Sequence, residues 1–238
     1  MPPALLDSSV VVHSEKLSCK YCGKSFRKLS TLSVHRCEPK RRWEQEKEVG
    51  VQFGLRTYLR FFEMTQGSAK TKTYTDFAES PYYSAFVKFG QHIVKLRAVN
   101  PHAYIEWTLK NVKKVDYWTK DQYYDQYLYE YLRREHPNDA LERTFTELQR
   151  WADETGKQFT EIFTANVKNK VCLMLVNGRI SPWIIYNCES GVDLLSLLNE
   201  EQITMIFKWI DPEYWQQKFK DFMADTELTK SILKEAGM

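Results

Sequence analysis

Four soft metal ligands fall within 19 residues of a 238-residue chain, in the order Cys19-x2-Cys22-x12-His35-x-Cys37. Thiolate and imidazole at this spacing suit one tetrahedral Zn²⁺. Such a site folds a segment too small to build a core of its own. No other feature of the sequence speaks as clearly.

The cysteine count supports a reducing compartment. Three of the five cysteines lie in the motif, while Cys172 and Cys188 sit far away in apolar surroundings. An odd count with one metal-type cluster argues against a secreted disulfide framework. The stretch from Met1 to Val12 has an apolar patch but no basic n-region or long h-region, so no signal peptide is expected. The longest apolar runs are far below the ~18–20 residues of a membrane span. The expectation is a soluble, cytoplasmic protein with no membrane partner.

Charge is unevenly placed. The whole chain carries a formal +3, but Ser14 to Arg42 holds nine Lys/Arg against two Asp/Glu, a formal +7. A bound Zn²⁺ with three thiolates subtracts about one unit from that. Residues 43–238 carry 25 basic and 28 acidic side chains. The basic character therefore belongs to the metal-binding segment and its exit.

Three stretches follow. Residues 1–15 lack periodicity and read as a loose arm, residues 16–39 as the metal-binding segment, and residues 40–238 as an all-α domain. The hydrophobic fraction of 43% and aromatic fraction of 14% supply an ample core. Helix starts are marked by a capping residue before proline at Ser80-Pro81, Asn100-Pro101, Ser181-Pro182 and Asp211-Pro212. Thr119 with Gln122 reads as a capping box, and Asp225 as a further start. Gly67, Gly156, Gly178 and Gly237 mark stops. Between these marks the apolar spacing is helical: Tyr123, Tyr127 and Tyr131 beside Tyr124, Leu128 and Leu132; Leu141, Phe145, Leu148, Trp151 and Ala152; Phe86, Phe89, Ile93 and Leu96. The one strand-like stretch, Val167 to Val176, is assigned to helix. Roughly eight to ten short helices are expected, with no solenoid repeat.

The segment from Leu17 to His35 closely resembles the zinc-finger family whose ligands are two cysteines and two histidines. Phe26 lies four residues after Cys22, Leu32 six after Phe26 and His35 three after Leu32, and Phe26 and Leu32 match the family's two small-core positions. Gly23-Lys24 matches its knuckle turn. The resemblance implies a ββα fold around one structural Zn²⁺ held by Cys19, Cys22, His35 and Cys37. The chain departs from the family at the fourth ligand, where Pro39, Lys40 and Arg41 occupy the expected window. Positions i and i+2 of an α-helix are ~200° apart, so His35 and Cys37 cannot both face one ion from a regular helix. The helix must end near His35, with Cys37 reaching back from a turn that Pro39 helps to enforce. His13 is the rival fourth ligand.

In that family the helix enters the DNA major groove. Counting back from His35, the base-facing positions are Lys28, Ser30, Thr31 and Val34. Lys28 could read guanine, whereas Val34 cannot hydrogen-bond to a base. Lys20, Lys24, Arg27, Arg36, Lys40, Arg41 and Arg42 are candidates for phosphate contacts. One finger reads only ~3 base pairs, so alone it gives weak, salt-sensitive, largely non-specific binding.

Candidates for chemistry are sparse. His92, His102 and His136 are isolated, the last two beside prolines in turns. Glu130, Arg133, Arg134 and Glu135 read as a solvated helix end. Asp76, Glu79, Asp116, Asp121 and Asp125 would have to converge to form a metal-nuclease cluster. No enzyme is expected. The tyrosines are too many for one core stripe, so some rings should be exposed, and any near Lys113, Lys114, Arg133 and Arg134 could stack on single-stranded bases or anchor a protein, with burial between helices as the default expectation. More loosely, the finger's exit "Cys-Glu-Pro-Lys-Arg-Arg", with "Ser-Pro-Tyr-Tyr", "Arg-Ile-Ser-Pro-Trp" and "Tyr-Asn-Cys-Glu-Ser-Gly" in the body, resembles uncharacterised proteins of large tailed bacteriophages. It implies action in the host cytoplasm. The expected function is a nucleic-acid-binding accessory protein whose helical body binds a protein partner; the alternative is a protein–protein adaptor with the finger as docking module.

Overall fold

The computed structural model describes residues 17–67, 72–164 and 166–238. The arm and His13 lie outside the described residues. The fold is mainly α, with a two-stranded sheet near the N-terminus. Two compact units divide the chain, Met1–Arg97 and Ala98–Met238.

The first unit opens with β1 (Leu17–Ser18) and β2 (Ser25–Phe26), paired antiparallel with Leu17 opposite Phe26. Then come α1 (Leu29–Ser33), α2 (Glu38–Glu44), α3 (Val49–Gln66), α4 (Tyr74–Glu79) and α5 (Tyr83–Leu96). Val51, Tyr58, Phe77, Phe86, Phe89 and Ile93 are buried. Each such side chain contributes about 1.5–3 kcal/mol by leaving water.

Glycine sets the close crossing of α3 and α5. A Cβ on Gly90 would lie 2.0 Å from the Gly50 carbonyl oxygen and 2.6 Å from the Gly54 nitrogen. Both neighbours are backbone and cannot swing aside. Gly90→Ala should therefore destabilise this unit by at least the ~1–3 kcal/mol of an overpacked core, read as a fall in melting temperature. An unchanged melt would mean that the helices separate at no cost.

The second unit comprises α6 (Pro101–Asn111), a 3-10 turn at Val115–Tyr117, α7 (Asp121–Arg134), α8 (Pro137–Thr155), a 3-10 turn at Phe159–Phe163, α9 (Lys168–Val176), α10 (Pro182–Ile185), α11 (Glu189–Ser196), α12 (Glu200–Ile210), α13 (Pro212–Asp221) and α14 (Met223–Glu235). The helices are thus more numerous than expected, because short pieces such as α10 separate at their own caps. Asn100, Ser181 and Asp211 cap as their prolines predict: each side chain accepts from a backbone N–H in the following turn.

Ser80 does not open a helix. Its N–H donates to Phe77 to close α4, and its Oγ accepts from the Tyr82 N–H, so Pro81 lies in a turn and α5 starts at Tyr83. Thr119 also misses its role, since Lys120 is the residue before α7 and makes no side-chain cap. Asp225 falls inside the first turn of α14 rather than before it. Gly67, Gly156, Gly178 and Gly237 all have positive φ at helix ends, and the strand-like stretch is helical as expected over Lys168–Val176.

Of the α7 stripe Tyr127 faces inward beside Tyr124, while Tyr123 and Tyr131 are half-buried. Tyr124, Tyr127, Leu128 and Leu132 are buried. The Tyr127 hydroxyl donates to the carbonyls of Val99 (2.8 Å) and Asn100 (3.1 Å), and Tyr124 accepts from the Val99 N–H (2.9 Å). Burial pushes the phenol of Tyr127 well above its ordinary range. These bonds satisfy the loop before α6, where Asn100 has φ 42°.

The end of α7 is solvated only in part: Arg134 is exposed, Glu130 and Arg133 are half-buried and Glu135 is buried. The Glu135 carboxylate has no exposed side-chain surface and accepts from both Arg143 Nη1 (2.5 Å) and Nη2 (2.8 Å). The Ser181 hydroxyl donates to the same carboxylate at 2.8 Å, and Arg143 Nε donates to the Gly178 carbonyl at 2.7 Å. Arg133 lies between the rings of Tyr129 and Tyr214, 4.0 and 4.1 Å from their centroids. Glu130 accepts from the indole N–H of Trp107. Glu130, Arg133 and Glu135 read as surface in sequence because their partners lie as far away as residues 107, 143, 181 and 214. Among the described residues, no helix is long and apolar enough to cross a membrane.

Candidate metal centre

The knuckle forms first. The Cys19 N–H donates to the Lys24 carbonyl at 2.9 Å and the Gly23 N–H to the Cys19 carbonyl at 2.8 Å. Gly23 sits at φ 70°, which a residue with a Cβ adopts only under strain. The turn between β1 and β2 carries both cysteines, Cys19 buried and Cys22 exposed.

The helix then ends early. α1 stops at Ser33, and the His35 N–H donates back to the Leu32 carbonyl at 3.1 Å. His35 thus stands just past the helix, with its ring 4.7 Å from that of Phe26. Cys37 follows in extended conformation (φ −122°, ψ 160°) as the residue that caps α2. Its carbonyl accepts from Arg41, while Pro39 occupies an early helical position that needs no amide partner. The break after α1 resolves the i, i+2 conflict as expected.

One donor atom from each of Cys19, Cys22, His35 and Cys37 lies within 4.8 Å of the other three. Cys19 Sγ and Cys37 Sγ are 3.9 Å apart, and Cys22 Sγ is 3.3 Å from His35 Nε2. A tetrahedral ion with ~2.3 Å bonds to sulfur separates its sulfurs by ~3.8 Å. The four could therefore hold one metal ion, with Nε2 as the histidine donor. The Tyr21 N–H, helped by that of Cys22, holds the Cys19 thiol below its ordinary range, while loss of solvation pushes Cys37 up. Among the described residues no other group of His, Cys, Asp or Glu converges in this way, so Asp76, Glu79, Asp116, Asp121 and Asp125 form no such cluster.

The same segment has almost no interior. From Leu17 to Cys37 only Cys19 is buried, at 5% exposure. Phe26 and Leu32, the two small-core positions, are only half-buried. Leu29 and Val34 are 66% and 76% exposed.

The basic side chains divide into two groups. Lys20, Lys24, Arg27, Lys28 and Arg36 are exposed, with Ser30 and Thr31 exposed on α1. None of these five cations pairs with a carboxylate of the described residues, and no acidic residue lies between Leu17 and Cys37. The exit run is occupied. Lys40 donates to the His35 carbonyl (3.3 Å) and lies 3.8 Å from Glu44. Arg41 pairs with Glu38 at 2.6 Å. Arg42 donates to the carbonyls of Ala78 (2.7 Å) and Ser80 (3.4 Å), lies over the Tyr83 ring, and accepts through its own carbonyl from the Tyr74 hydroxyl. Trp43 meets Tyr74 edge-on at 5.0 Å. Sequence alone missed this strap from α2 to α4, since nothing in the run Lys40-Arg41-Arg42 separates a cation that faces solvent from one that caps a helix end. Compared with protein-family models, with curated proteins and with solved structures, the chain matches none.

Proposed function

We propose that residues 17–37 hold one structural Zn²⁺ and bind nucleic acid, and that the protein serves as a non-enzymatic accessory factor in the DNA or RNA transactions of a tailed bacteriophage. One observation carries the reading: the segment that holds the four-ligand cluster carries five exposed cations, none of them paired with a carboxylate of the described residues. Three thiolates and an imidazole suit zinc over the harder cations, which prefer oxygen. Lys20, Lys24, Arg27, Lys28 and Arg36 supply the phosphate contacts. Arg42, held on the α4 carbonyls, serves the fold instead. A helix of five residues offers few base contacts, so phosphate attraction dominates and binding is largely non-specific.

Affinity for a random-sequence duplex should fall steeply with salt. In the triple variant Arg27→Gln, Lys28→Gln, Arg36→Gln, the slope of log K against log salt should shrink by about 2–3. Binding that ignores both salt and these three residues would sink the proposal. A second reading rests on the exposure of Leu29 and Val34, apolar side chains at the two ends of the finger helix. They favour a protein adaptor. A partner that survives nuclease treatment, and is lost in Leu29→Ser, Val34→Ser, would shift the assignment to docking.

A further inference from the structure

The second unit places two tyrosines outside the inward-facing stripe. Tyr117, ending the 3-10 turn, and Tyr123, in the first turn of α7, are half-buried, with ring planes 16° apart and centroids separated by 6.3 Å. The neighbouring rings of Tyr104 and Tyr124 meet at 73° instead, as core rings do. Other tyrosines here spend their hydroxyls on the fold: Tyr104, Tyr124, Tyr127 and Tyr131 all bond to backbone or side-chain groups. The hydroxyls of Tyr117 and Tyr123 have no partner among the described residues.

Lysines lie on the Tyr117 side of this pair. Lys120 Nζ lies 3.8 Å from the Tyr117 ring centroid and Lys114 Nζ lies 5.5 Å from it. Lys113, Lys114 and Lys120 are exposed, and none forms an ion pair with a carboxylate of the described residues. Asp116 and Asp121 stand nearby, but with Lys110 the local excess is positive. Parallel half-exposed rings flanked by unpaired cations are the elements of a single-strand platform, where bases stack on rings and phosphates meet lysines.

We propose that the surface formed by Tyr117, Tyr123, Lys113, Lys114 and Lys120 binds single-stranded nucleic acid. Bases stack on the two rings, and Lys120 moves from the Tyr117 face to a phosphate. A duplex keeps its base faces stacked inside, so it cannot use the rings. The inference rests on the proposed function for its class of ligand, but on separate residues.

The test is fluorescence anisotropy with a labelled oligothymidylate of about 12 nucleotides and with a duplex, circular dichroism confirming that each variant is folded. Tyr117→Ala and Tyr123→Ala should each weaken oligothymidylate binding about ten-fold, with duplex binding unchanged. Tyr117→Phe and Tyr123→Phe keep the ring and should bind as the parent does. Lys113→Gln, Lys114→Gln, Lys120→Gln, all at the surface, should lower the single-strand salt slope by about 2. The proposal is overturned if the parent does not bind oligothymidylate, if alanine at either tyrosine binds as tightly as the parent, or if phenylalanine loses as much as alanine. The finger variant at Arg27, Lys28 and Arg36 separates the two readings. Duplex binding lost there with ring dependence intact supports both surfaces, and ring dependence absent with finger dependence intact removes only this one.

Discussion

Chelation of the metal is expected to unfold residues 17–37 and to release Trp43 from Tyr74, while leaving the crossing of α3 and α5 folded. The reason is the near absence of an interior in the finger. Only Cys19 is buried there, and it is itself one of the four candidate ligands. Apolar burial cannot repay the backbone entropy of some 20 ordered residues at about 1–2 kcal/mol each. Metal binding to short thiolate–imidazole segments supplies an apparent ~10–16 kcal/mol, and in such segments that free energy is the folding free energy. The effect should spread because Cys37 belongs to two structures at once. Its sulfur lies in the candidate site, and the residue occupies the N-cap position of α2, whose Arg42 grips the α4 carbonyls. Cys37→Ser separates the two roles, since serine is a good helix cap but a poor zinc ligand. One zinc per chain should be found in the parent by elemental analysis, and far less in the variant. Trp43 is the one tryptophan before residue 98, so its indole resonance reports on α2. Metal-free protein that keeps dispersed amide signals for residues 17–37 would show that something other than a metal holds the finger.

Sequence carried local rules well and distant partners poorly. The break after α1 was legible because His35 and Cys37 stand two residues apart, a spacing no helix can present to one ion. Asn100, Ser181 and Asp211 were legible because capping is decided within three residues. Ser80 carries the same dipeptide signal and fails, since its backbone is taken by α4 and its hydroxyl by Tyr82. The glycines at 50, 54 and 90 were missed, because the close approach they permit joins positions 36 to 40 residues apart in the chain. Charges were the least legible. Arg27 and Arg42 look alike in the sequence, yet one is exposed and the other caps a helix.

Arg143→Met is expected to cost the second unit about 3–5 kcal/mol, the penalty for leaving a buried charge unpaired. That is a fall of about 10 °C in its melting temperature. Arg143 covers both oxygens of Glu135, and the Glu135 side chain has no exposed surface while that of Arg143 retains 14%. Without the guanidinium, the carboxylate keeps only the Ser181 hydroxyl. The Gly178 carbonyl also loses its donor at the turn that ends α9. Removing both charges is a different experiment. Glu135→Leu with Arg143→Met substitutes apolar groups for an ion pair whose desolvation offsets most of its attraction, so the double variant should recover much of the loss. The residual deficit measures the hydrogen bonds to Ser181 and Gly178, which neither leucine nor methionine can make. A double-mutant cycle isolates the coupling, expected in the 0.5–3 kcal/mol range for contacting residues or above it. If Arg143→Met alone melts within about 1 kcal/mol of the parent, as a surface pair would, then water reaches Glu135 and the network does not hold α7, α8 and the α9–α10 turn together.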